Sequence, residues 1–107
     1  MLLRLFIKAI DYDDAKISIN SVLSNIEKSN IKRQTIKIEP YWKSDEVIVG
    51  EINLELYELL GNDERDKFLK QIAVKWLFFD NDEVLSSNTI EENKLRYNLE
   101  MANIFFD

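Results

Sequence analysis

The chain contains neither cysteine nor histidine. The first absence excludes disulfides, thiolate zinc sites and a cysteine nucleophile. The second removes the commonest general base and the commonest metal ligand. Two glycines and one proline leave little material for long loops, flexible linkers or collagen-like repeats. No run approaches the ~20 apolar residues of a membrane span, and Arg4 and Lys8 break the apolar start before a signal-peptide core forms. The seven serines lack a histidine partner, and none sits in a nucleophile elbow, so serine catalysis has no support. The expectation is a cytoplasmic protein that is not an enzyme, uses no metal or cofactor, and touches no membrane.

What is present describes a folded domain. Over 107 residues, 46% are apolar and 32% charged, the balance of one globular unit spanning residues 1–107. The formal charge of −6 argues against a nucleic-acid partner. That charge is uneven: residues 1–43 carry +3 and residues 44–107 carry −9. A field of that sign attracts a basic partner and speeds its association; the plainer alternative is an acidic surface that only aids solubility.

Periodicity then sets the order of elements. Leu3, Leu5, Ile7 and Ala9 alternate with Arg4 and Lys8, which predicts a strand. Asp11, Asp13 and Asp14 supply caps for a helix that carries Ala15, Ile19, Val22, Leu23 and Ile26 and runs to about Ser29. Residues 35–39, ended by Pro40, and the run from Val47 predict an antiparallel hairpin, with a bulge at Gly50. Asp63 is the expected N-cap of a second helix, whose stripe of Phe68, Leu69, Ile72, Ala73, Trp76 and Phe79 ends near Phe79. Residues 83–86 fit a short strand. For residues 89–106 a helix from Thr89 competes with a strand from Tyr97 to Phe106; the strand is preferred because the sheet needs a closing partner. The predicted fold is α+β in β-α-β-β-α-β order, an antiparallel sheet of four to five strands with two helices packed on one face.

Three segments invite a chemical reading. Asp80 to Glu91 spaces oxygens like a calcium loop, but Val84 and Leu85 stand where a ligand and a glycine are required. Glu92-Asn93-Lys94 forms an E-x-K, a fragment of metal-nuclease sites that an acidic chain would keep from its phosphate substrate. Tyr41 and Trp42, beside Pro40, are the residue types that anchor protein interfaces, although a strand-end tryptophan also fits a core.

The helix from Asp66 to Trp76, leading through residues 79–87 to an apolar terminal segment, resembles small bacterial immunity proteins of contact-dependent growth inhibition and related toxin systems. The resemblance covers roughly residues 64–107 and the order of elements. It implies an inhibitor bound to one cognate toxin protein in the cytoplasm. Charge and aromatic placement alone nominate the contacts: Asp45, Glu46, Glu51, Asp80, Asp82 and Glu83, with Tyr41 or Trp42 as the apolar anchor. A basic nuclease toxin would be neutralised by occlusion of its substrate surface. The alternative is an acidic adaptor or small assembly subunit with no toxin, and either a monomer or a homodimer fits the sequence.

Overall fold

The computed structural model describes residues 1–107. Leu2–Lys8 forms β1, which buries Leu3, Leu5 and Ile7 on one face. Asp11 caps α1, Tyr12–Leu23: its carboxylate accepts the Asp14 N–H at 2.8 Å, while the Asp14 carboxylate accepts the Ile10 N–H at 3.1 Å. The first bond satisfies a donor that the helix start leaves open, and the second ties the residue before the cap to the first turn. The helix stops at Leu23, short of the predicted Ser29. Ser24 Oγ donates to the Ser21 carbonyl at 2.6 Å, and Asn25 Nδ2 reaches the Ser21 and Val22 carbonyls, so side chains replace the next helical turn.

A 3₁₀ turn, Lys28–Asn30, leads into β2, Ile31–Pro40, and its antiparallel partner β3, Val47–Leu56. Gly50 is not a bulge, as the register runs through it unbroken against both Ile38 and Leu5. Its role is close packing. A Cβ at Gly50 would lie 2.7 Å from Ile19 Cδ1 on α1. The register shifts fall instead between Ile31 and Arg33 and between Phe6 and Ile7.

Helix α2 is Asn62–Ile72, with Gly61 rather than Asp63 at its N-cap and the Glu64 carboxylate accepting the Gly61 N–H at 3.1 Å. It ends well before Phe79. Ala73 is already extended, and Leu77–Phe78 forms a short strand, β4. Trp76 mimics a helical position because its side chain folds back. Its Nε1 donates to the carbonyls of Leu69 at 3.0 Å and Ala73 at 3.1 Å, capping the helix from outside.

Glu83–Ser87 is β5 and Leu99–Phe105 is β6, so the preferred strand occupies the last segment. All strand pairs are antiparallel, in the order β2-β3-β1-β6-β5-β4. The sheet has six strands instead of four to five; two-residue β4 is too short for periodicity to reveal. Strands β1, β2, β3 and β6 with the two helices have split βαβ, ferredoxin-like connectivity, widened by the β4–β5 hairpin.

Both helices cover one face. Ile19 of α1 stands over Gly50, and Phe68 of α2 meets Phe106 edge-on at 6.4 Å. One core of 22 buried apolar residues joins both helices to the inward strand residues. The opposite face carries Leu2, Arg4, Phe6, Val49, Glu51 and Met101, with no helix over it. No helix is long and apolar enough to cross a membrane.

Candidate functional site

The β2–β3 connection, residues 41–46, projects from one corner of the sheet. Tyr41 continues β2 by donating its N–H to the Val47 carbonyl at 3.0 Å, which sets its half-buried ring edge-on against Phe6 at 5.1 Å. Trp42 follows at a centroid distance of 6.1 Å from Tyr41 and is 83% exposed, so it is not the core residue that a strand end permits. Lys43 Nζ lies 5.0 Å from the centre of its ring. Asp45 and Glu46 are exposed on the same connection and form no ion pair within the chain. Backbone bonds hold the loop: Ser44 N–H to the Tyr41 carbonyl at 3.2 Å, and Ala9 N–H to the Glu46 carbonyl at 3.2 Å. A rigid platform therefore presents one solvent-facing indole beside two unpaired carboxylates.

The other nominated acids lie elsewhere. Glu51 sits mid-strand on the helix-free face, its carboxylate 3.8 Å from Arg4. Asp80 and Asp82 occupy the β4–β5 turn, and Glu83 begins β5. The connection at 41–46 lies at the sheet end where Lys8 pairs with Val47; the turn at 80–82 lies at the end where Glu83 pairs with Phe105. Strands β2 and β4 are also opposite edges, five strand spacings or about 24 Å apart. The two acidic groups are thus diagonal corners of the sheet, not one patch.

Within the second corner only Asp80 is unengaged. Arg65 Nη1 holds Asp82 at 3.2 Å, while its Nε donates to the Leu60 carbonyl and its guanidinium lies 4.8 Å from the Phe106 ring centre. Asn103 Nδ2 donates to Glu83 Oε2 at 3.0 Å. Asn81 and Asp82 both take positive φ, 63° and 60°, a conformation that Asn and Asp tolerate better than most residues. These acids shape a turn and its neighbours.

The two metal-like motifs resolve into structure. Residues 80–91 are not a loop: the extended β5 separates Asp80 and Asp82 from Glu91. The centre of the E-x-K, Asn93, is buried. Its Oδ1 accepts the Lys75 N–H at 3.0 Å, and its Nδ2 donates to Ser86 Oγ and the Ser87 carbonyl, both at 2.9 Å. Ser86 Oγ then donates to the Lys75 carbonyl at 2.6 Å. Glu92 Oε2 lies 3.9 Å from Lys75 Nζ. Sequence reading missed this hub, since nothing in the pattern marks Asn93 as buried.

No family model matches the chain, no curated protein matches its sequence, and no solved structure matches it.

Proposed function

We propose that the protein is an immunity protein that binds a cognate basic toxin domain, a nuclease, in the cytoplasm and blocks its substrate surface. The observation that carries this reading is Trp42, an indole held out in solvent on the Tyr41–Phe6 brace beside unpaired Asp45 and Glu46. Tryptophan and tyrosine are enriched among the few residues that carry most of the binding energy at protein interfaces. A nuclease holds its substrate with positive charge, so the same surface attracts this acidic corner.

The diagonal layout divides the labour. Tyr41, Trp42, Asp45 and Glu46 make the close contact. Glu51, paired with Arg4, and the Asp80–Glu83 corner contribute to the long-range field that draws the toxin in.

Co-expression with toxin domains encoded beside its gene tests the proposal. Protection that is lost with Trp42→Ala supports it. Failure to protect against, or bind, any of them removes it. The alternative, an assembly subunit without a toxin, draws support from the bare β4 edge.

A further inference from the structure

The two edges of the sheet are treated differently. Strand β2 has Lys32, Arg33 and Lys37 along its length and Pro40 at its end, the features that discourage pairing with another chain. Strand β4 carries no charge or proline, and its two-residue length is its one protection, so pairing there rests on the side chains around it as much as on the backbone. Leu77, Phe78 and Phe79 are 46%, 69% and 51% exposed, and nearby Val74 is 80% exposed.

The backbone of this edge is open as well. The Phe79 N–H donates to the Glu83 carbonyl at 2.9 Å, and Leu77 pairs with Leu85. By the antiparallel alternation, the Phe78 N–H and carbonyl then point away from β5. The Phe78 side chain lies on the helix-covered face, opposite Val84. There it lines a groove of about 460 Å³ with Leu69, Val74, Trp76, Asp66 and Lys70.

We propose that a second copy of this chain closes the β4 edge, the two β4 strands pairing antiparallel about a two-fold axis near Phe78. Such an interface meets itself, so its charges must be self-complementary. Asp66 and Lys70 meet that condition. They stand one turn apart on α2 beside the groove, and neither makes an ion pair within the chain. A two-fold axis sets the α2 helices antiparallel and brings Asp66 of each copy toward Lys70 of the other. The exposed parts of Val74, Leu77, Phe78 and Phe79 supply roughly 400 Å² of apolar surface per copy. That is half of the ~800 Å² a standard interface takes from each partner, with α2 and the groove wall providing the remainder. The proposal does not depend on the toxin reading, whose close contacts at Tyr41, Trp42, Asp45 and Glu46 lie at the opposite corner.

Sedimentation equilibrium on the full chain, up to ~100 μM, tests it. The expected result is a reversible species of twice the 12.7 kDa chain mass. Phe78→Lys should leave a monomer with an unchanged far-UV spectrum, because the ring it replaces is mostly exposed. Asp66→Lys should weaken the dimer about tenfold by setting like charges together, and adding Lys70→Asp should restore it. A wild-type monomer throughout the range overturns the proposal. A dimer indifferent to Phe78→Lys, or a charge swap that fails to recover, places the contact elsewhere and overturns it too.

Discussion

Asn93 Nδ2 donates to Ser86 Oγ at 2.9 Å, with both residues buried, and that bond joins the connection after β5 to the strand itself. Around it, the Lys75 N–H and carbonyl and the Ser87 carbonyl are satisfied by the same two side chains. The pair fixes the path from α2 into the β4–β5 hairpin, the part of the sheet added to the split βαβ unit.

Removing that amide leaves buried groups without partners. Asn93→Ala is expected to cost about 2–3 kcal/mol, read as a lower urea midpoint with an unchanged slope. Lys94→Ala, at the next, exposed position, should change stability by less than about 0.5 kcal/mol.

Trp76 closes α2 with its indole N–H. Trp76→Phe keeps most of the packing and loses both bonds to the Leu69 and Ala73 carbonyls; about 1 kcal/mol is expected. Trp76→Ala also loses the partly buried ring that packs against the core and should cost about 3 kcal/mol. Chemical denaturation of the two variants checks the order.

Gly50 and Ile19 should be coupled. Gly50→Ala brings a methyl against Ile19 Cδ1 in a region where Ile7 Cδ1 is also close, at 3.6 Å. Overpacking of this kind costs about 1–3 kcal/mol. Ile19→Val removes Cδ1, so the double variant should be more stable than the sum of the single losses predicts, by about 0.5 kcal/mol or more. A strictly additive pair in equilibrium unfolding would contradict the close approach.

Much of the fold was legible because burial follows simple periods. Leu3, Leu5 and Ile7 alternate as a half-buried strand must, and Asp11 caps α1 from the cluster that marked it. The errors have physical sources. Side chains of Ser24, Asn25 and Trp76 satisfy helix-end carbonyls, so both helices stop where the apolar stripe continues. Gly50 answers a tertiary contact with Ile19, which no local pattern encodes.

The candidate site was legible only in its chemistry. Composition located the acids and the aromatic pair, and both corners are indeed solvent-facing at Trp42, Asp45, Glu46 and Asp80. Their separation depends on strand order. The 41–46 and 80–83 segments lie at opposite edges only because β1, β6 and β5 fall between β3 and β4. Nor does charge sequence reveal that Arg65 and Asn103 already hold Asp82 and Glu83.

Stopped-flow binding to the toxin domain proposed as its partner, across a series of salt concentrations, tests the central claim most directly. The account predicts an association rate that falls steeply with ionic strength as screening shortens to ~8 Å at physiological salt. Asp45→Lys with Glu46→Lys should slow association further, whereas Trp42→Ala should chiefly speed dissociation and weaken affinity by 2 kcal/mol or more, about thirtyfold. An association rate indifferent to salt and to the double reversal, with Trp42→Ala binding as tightly as wild type, would contradict it.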